Sequence, residues 1–519
     1  MQTLSKIIIS LLAGLCLNIH SFFAHADTVM AANTTEQEMQ SLALVMQPNV
    51  SLRSAPKDSA RELAVLWQGE WVEVRDERMD YLEVYDHKRE RVGFVKVTHL
   101  RQSKFHESET KEFLTLVRYL RDNNGSNSLG ISLASAYLRA ASNVEMNSPE
   151  GAEILHAIGV FADRIADAAS ALHTKNKANT RYLNQQLEVA TQYGVHFNNL
   201  DNNDRIQVCY DGEVYRQVLA LSAAPELKAT AALSLTKDTC IDPNLTPSKR
   251  AQIDAWRAQV ISQIITDNLP EYLKNRVEMR KASILSHLSY AQTRFAYNTE
   301  VQKLTGIEEN AETLMHKAIT AFSQVDKNQL PDEDWPTYNN TAMLVSASRW
   351  ASEPIEHKQL FGTLQLETQV KKPGETCVSL ISLKQKKVLA ERCTYSLVWA
   401  QSATINPKRN AIALAVQPMS NWRELWVFKR NKSGWQVNVL PPTTRGIGLG
   451  YVEFAGWSPN GKQILIAKES RADGIYQRRF EVVDLASLRV DRQARDASIL
   501  GAFNRWQDDV WKANTVSLR

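Results

Sequence analysis

Cysteine is scarce in this chain: five residues in 519, spread from Cys16 to Cys393. No two of them have the C-x-x-C spacing of a zinc site and no histidine lies close to a pair, so no metal site is expected. A strong charge imbalance is also missing. A net charge of +4 on a chain of this length argues against nucleic-acid binding, which normally needs a concentrated basic patch. Beyond Leu17 no apolar run is long enough to span a bilayer. There is no glycine-rich phosphate loop, no H-E-x-x-H and no G-x-S-x-G. Gly446-Ile447-Gly448-Leu449-Gly450 is rich in glycine, but it sits between strand patterns and opens no helix, so it reads as a flexible loop. No cofactor is expected, and no residue is singled out as catalytic.

What is present begins with an export signal. Lys6 precedes the apolar run Ile7–Leu17, and Ala24-His25-Ala26 supplies an A-x-A cleavage site. Residues 1–26 read as a signal peptide, cleaved after Ala26. Leu15 stands before Cys16 where a lipobox carries a small residue, which disfavours a lipoprotein. The mature protein is expected in the periplasm or outside the cell, with no transmembrane segment. Four cysteines then remain, and an even count in an exported chain reads as two disulfides with three possible connectivities. Proximity favours Cys209–Cys240 and Cys377–Cys393. A free Cys209 nucleophile, with His196 the nearest histidine, would leave Cys240 unpaired.

Residues 27–43 are small and polar and read as a linker. From residue 44 to 102 apolar residues alternate with polar ones: Val50 and Leu52, Val72 and Val74, Leu82 and Val84. Period two places one side of each strand in a core and the other in water. Pro56, Gln68-Gly69 and Asp80 punctuate the runs. The order of Val50–Pro56, Gly69–Val74, Asp80–Val84, Gly93–Lys96 and Thr98–Leu100 resembles the bacterial SH3-like domain. The resemblance covers residues 44–100 only. It implies a small β-barrel that closes its own edges, and binding rather than chemistry. Trp67, Trp71, Tyr81 and Phe94 are the candidate ligand-binding residues. In the family, positions like Tyr81 and Phe94 usually carry tryptophan.

From residue 104 the period changes to 3.6, as in Phe113, Leu116, Val117 and Leu120. Helix signals recur to about residue 330. Ser148-Pro149-Glu150 and Thr246-Pro247 are caps with proline at the first helical position. Gly194 stops one helix, Leu269-Pro270 starts another, and a last one holds Ile307, Leu314, Ala318 and Phe322. With no fixed 34-residue period, an irregular all-α helical array over 104–330 is expected. Pro331–Pro336 reads as a boundary.

Residues 338–519 are expected to be all-β. Asn406–Ala415 matches Ser458–Ala467 at an offset of 52, and each copy precedes a second strand, Leu425–Phe428 or Phe480–Val483. Trp457–Lys462 resembles the blade motif of Tol-type periplasmic β-propellers. The length allows only three or four such units, so a partial propeller-like domain or a sandwich is expected.

The expected protein is therefore multidomain, α and β: an SH3-like barrel, a helical array and a β-rich domain. Its expected function is that of an exported, non-catalytic binding or scaffold protein. The SH3-like module would engage a cell-wall (peptidoglycan) peptide or an envelope protein partner. The alternative is a cell-wall hydrolase whose site lies in the helical domain, with acids such as Glu153 or Glu188 as candidates.

Overall fold

The computed structural model describes residues 41–123, 125–171, 177–201, 205–295 and 309–514. The expected signal peptide, its cleavage point after Ala26, most of the linker and Ile307 lie outside these residues. The chain forms two compact units, divided between Glu109 and Thr110.

The first unit is a seven-stranded antiparallel sheet. Its strands are β1 (Leu42–Val45), β2 (Val50–Arg53), β3 (Glu62–Leu66), β4 (Trp71–Arg78), β5 (Tyr81–Asp86), β6 (Arg91–Lys96) and β7 (Leu100–Ser103). They lie in the order β3-β2-β6-β5-β4-β1-β7. The expected closed barrel is not formed. β3 and β7 are the two ends of this order and do not pair, and the β2–β6 join is the single pair Arg53↔Phe94. Both edges are short, which limits pairing with another chain without closure. The alternation behaves as expected: Leu52, Val72, Leu82, Val84 and Val95 pack into one apolar core. Gly93 is required there, because a Cβ would lie 2.7 Å from Leu52.

The second unit holds both the helices and the remaining strands. Its helices begin with α1 (Thr110–Asp122), α2 (Asn127–Ala140), α3 (Asn143–Met146), α4 (Pro149–Ala171) and α5 (Lys177–Gln192). The expected cap is present: Ser148 Oγ accepts the Gly151 N–H at 3.2 Å. The all-α expectation fails at one place. β8 (Phe197–Asp201) and β9 (Ile206–Tyr210) form a hairpin inside the helical region. Ile206, Val208 and Tyr210 alternate with Gln207 and Cys209, a period-two signal too short to stand out among helices. α6 (Glu213–Ala220), α7 (Pro225–Leu235), α8 (Pro247–Ser262), α9 (Glu271–Arg294) and α10 (Ala311–Ser323) follow. Cys209 in β9 is bonded to Cys240, which ends the 3-10 turn Asp238–Cys240 after α7.

Pro331–Pro336 does not end the helices. Trp335–Ser348 forms α11, with Pro336 in the first turn, where a missing N–H costs nothing. Small residues let α11 be buried on all sides from Thr341 to Ser348. Ala342 and Val345 join the core of α9 and α10, while Met343 and Ala347 pack on the C-terminal strands. The stretches 104–330 and 338–519, expected as separate domains, thus fall within one compact unit with shared cores.

The C-terminal strands form three four-stranded antiparallel meanders. The first is β10 (Lys358–Phe361), β11 (Leu364–Lys372), β12 (Glu375–Ser382) and β13 (Lys387–Thr394). Cys377 and Cys393 face each other across β12 and β13 and are bonded. The second is β14 (Leu397–Ile405), β15 (Ala411–Met419), β16 (Trp422–Asn431) and β17 (Gly434–Leu440). The third is β18 (Leu449–Trp457), β19 (Gln463–Ala472), β20 (Ile475–Asp484) and β21 (Val490–Ala494). One core lies between the first and second meanders, around Leu380, Ile412 and Phe428. Another lies between the second and third, around Val427, Val452 and Ile466. Two short helices follow, α12 (Gly501–Trp506) and α13 (Asp509–Asn514).

The glycine-rich stretch is not simply a loop. Gly450 lies in β18, pairs in parallel with Trp422 of β16, and gives its N–H to Asn421 O at 2.9 Å. A Cβ on Gly450 would meet Glu469 O at 2.6 Å, so glycine permits the close approach of β19 to β18 within the third meander.

Candidate functional site

Two places hold chemistry-bearing groups. In the first unit the strand registers decide which aromatics share a side. Glu73 pairs with Tyr85, Arg78 with Tyr81, and Glu83 with Phe94. Alternation then puts Trp71, Tyr81, Tyr85 and Phe94 on the side of the sheet opposite Leu82, Val84 and Val95. Trp71 and Tyr81 lie at opposite ends of that side, roughly 20 Å apart at the usual strand rise. Tyr81 is only 3% exposed, and it donates from its hydroxyl to Asp58 Oδ1 at 2.7 Å. Lys96 holds the other oxygen of Asp58 at 2.7 Å. Trp71 packs on Phe105 at 4.8 Å. Arg78 sits 5.7 Å from the Phe94 ring centre and Arg75 sits 4.1 Å from that of Tyr85. Trp67 is apart from these, after β3, with the Lys88 ammonium 4.3 Å from its ring. The four expected residues therefore do not converge on one groove.

The second place went unseen in the sequence. A cleft of about 770 Å³ opens between α4, α7, α9 and α11, with Asn421 and Leu449 of the C-terminal strands at its edge. Helical spacing explains its walls. His156, Val160, Asp163 and Asp167 lie on one side of α4; Arg276, Arg280, Ser283 and His287 lie on one side of α9. The β15–β16 turn is pinned beside α9, where Tyr290 donates to Pro418 O at 2.7 Å and His287 Nδ1 meets Ser420 Oγ at 3.0 Å.

The carboxylates of the cleft are occupied. Asp163 accepts from Tyr215 at 2.9 Å and pairs with Lys237 at 2.9 Å. Lys237 also reaches Asp167, at 3.7 Å. Asp334 takes the Arg276 Nε–H at 2.8 Å, and Asp238 pairs with Arg257 at 2.5 Å. Cys240 ends the turn that carries Asp238, so the Cys209–Cys240 bond ties this rim of the cleft to β9. Burial raises the Tyr215 phenol well above its ordinary range. Burial, with Arg121 nearby, lowers the His156 imidazole to about 4, so the ring is neutral. Its Nε2 meets Thr230 Oγ1 at 2.7 Å, and that hydroxyl is itself tied to Glu226 O.

Arg280 differs from the other cations. Its Nη1 donates to Leu233 O at 3.0 Å and Thr236 Oγ1 at 3.1 Å. Among the described residues it has no carboxylate at ion-pair distance, and its Nε and Nη2 meet no acceptor. Burial lowers its pKa to about 10, which leaves it charged at neutral pH.

The remaining candidates fall elsewhere. Glu153 is clamped by Arg118 at 2.6 Å and Arg121 at 2.7 Å, and the hydrogen bonds from Arg118 hold its carboxyl below the usual range. An acid held ionised in this way is a poor general acid. Glu188 is exposed. The Cys209 sulfur is bonded and offers no thiolate. Cys377, Glu391 and Cys393 are the one group of candidate metal ligands drawn together among the described residues, and two of them are bonded to each other. No described helix is long and apolar enough to cross a membrane. The two cysteine pairs are compatible with an exported protein. Comparison with known proteins finds no matching family model, no similar curated protein and no similar solved structure.

Proposed function

We propose that this chain is an exported, non-catalytic binding protein whose N-terminal sheet engages a cell-wall peptide or an envelope protein. The observation that supports this most is the shared side of Trp71, Tyr85 and Phe94, opposite the apolar core and studded with Arg75 and Arg78. Aromatic rings with cations beside them suit a ligand that has both apolar and carboxylate groups. The three meanders, each packed on the next, support a short propeller-like stack rather than a two-layer sandwich. The hydrolase alternative draws no support from Glu153, whose charge is already neutralised by two arginines.

The test is sedimentation of the mature protein with purified peptidoglycan, beside a Trp71→Ala/Phe94→Ala variant. Co-sedimentation that the double variant loses is expected for the wall-binding version. A protein that stays in the supernatant rejects that version. In-cell crosslinking at Trp71 then decides for or against an envelope protein partner.

A further inference from the structure

The cleft of the second unit has more free hydrogen-bonding groups than its own packing uses. On α9, Arg280, Ser283 and His287 are spaced i, i+3, i+7 and all line it. Ser283 is 8% exposed, and among the described residues its hydroxyl has no hydrogen-bond partner. The guanidinium edge of Arg280 carrying Nε and Nη2 is likewise unmatched. From α11, Thr341 and Asn340 enter the same cleft. Thr341 is 4% exposed, and its hydroxyl too has no partner among the described residues. Polar groups that converge on one cavity and are not used by its own packing point to a ligand that completes them.

The spacing and the charges restrict that ligand. From Arg280 to His287 the helix rises about 10 Å, the length of roughly three residues of extended chain. Two walls of hydroxyl and amide groups suit a ligand with its own alternating N–H and C=O groups. The guanidinium fork suits a planar carboxylate. The four aspartates of the cleft, Asp163, Asp167, Asp238 and Asp334, match its four cations, Arg164, Lys237, Arg276 and Arg280, so no excess positive charge is present to favour a dianionic phosphate over a single carboxylate. Met279, Leu344 and Leu449 add apolar wall for side chains.

We infer that this cleft binds the free C-terminal end of a short peptide, with Arg280 holding the carboxylate and Ser283 and Thr341 meeting the backbone. The site lies in the second unit and is independent of the aromatic side of the first, so either reading can fail without the other.

The test is calorimetric titration of the mature protein with the tripeptide Ala-Ala-Leu as free acid, as C-terminal amide, and with inorganic phosphate. The free acid should bind, the amide should bind about 10- to 100-fold more weakly, and phosphate should not displace the acid. Arg280→Gln should weaken the acid to the level of the amide, and Arg280→Lys should retain part of the difference. Ser283→Ala should weaken acid and amide alike. Should Arg280→Gln fail to fold, the acid-against-amide comparison on the unaltered protein decides. Equal binding of acid and amide, no binding of the acid at millimolar concentration, displacement by phosphate, or unchanged binding by folded Arg280→Gln would each overturn the assignment.

Discussion

The side-chain Nδ2 of Asn406 donates to the carbonyl of Gly461 at 2.9 Å, joining equivalent turns of the second and third meanders. Asn406 Oδ1 accepts the N–H groups of Asn410 and Ala411; Ser458 Oγ accepts those of Lys462 and Gln463. The positions correspond at an offset of 52, and so do Arg409 and Gly461, which both have positive φ. The internal repeat is therefore a structural one, down to the hydrogen bonds of its turns.

Asn406→Ala should destabilise the protein by about 2–4 kcal/mol, because Asn406 is 1% exposed and its loss strands buried N–H groups. Asn406→Ser should recover part of that, since serine already performs this role at position 458. Urea unfolding of the two variants checks the order; equal losses would show that the capping bonds are not what matters.

A second prediction concerns a buried triad. Glu453 is 2% exposed and pairs with both Arg349 and Arg423, and Arg423 also donates to Ser346 O at 2.7 Å at the end of α11. Glu453→Gln leaves two buried guanidiniums without a carboxylate and should cost about 3–5 kcal/mol. Replacing all three by Met and Leu should cost much less, because no charge is then left buried. Thermal unfolding distinguishes the two. A triple variant worse than Glu453→Gln would show that the ion pairs are net stabilising.

Acid should weaken the protein through His156. Its imidazole titrates near 4 when folded, against about 6.5 in the unfolded chain. Between these values the unfolded state binds a proton that the folded state does not, so stability rises with pH across the window. The contribution is complete above pH 6.5 and is lost as pH falls toward 4, amounting to about 3 kcal/mol. His156→Gln should show a flatter dependence when urea midpoints are compared at pH 7.5 and 4.5. Parallel slopes for the two proteins would remove His156 as the cause.

The cysteine pairs make a fourth prediction. Cys209 and Cys240 are 31 residues apart in sequence, and closing a loop of that size should contribute roughly 3–4 kcal/mol. Cys209→Ser/Cys240→Ser should lose this and loosen the Asp238 rim. Non-reducing peptide mapping should find Cys209 linked to Cys240, Cys377 linked to Cys393, and no free thiol.

Much of the local structure was legible in the residues. Proline caps at Ser148 and Thr246, the period-3.6 stripes and the 52-residue repeat each arise from contacts within one element or between neighbouring elements. Short-range chemistry of that kind is written where it acts. The cysteine pairs were legible too, because each joins segments close in sequence.

What the tertiary structure alone decided depends on distant segments meeting. Whether β3 and β7 pair is a matter of how the sheet curves, and no residue of either strand states it. Pro331–Pro336 looked like a boundary because two prolines and three acids stand between helix and strand patterns; Pro336 instead sits in the first turn of α11, where proline is tolerated. The cleft was invisible for the same reason. Arg280, Asp334 and Asn421 come from separate elements, and each alone is an ordinary polar residue. Arg280 became notable only when folding brought Leu233 and Thr236 to one edge of its guanidinium and left the other without a carboxylate. Pairing and burial are properties of the assembled neighbourhood, and a one-dimensional pattern does not contain them.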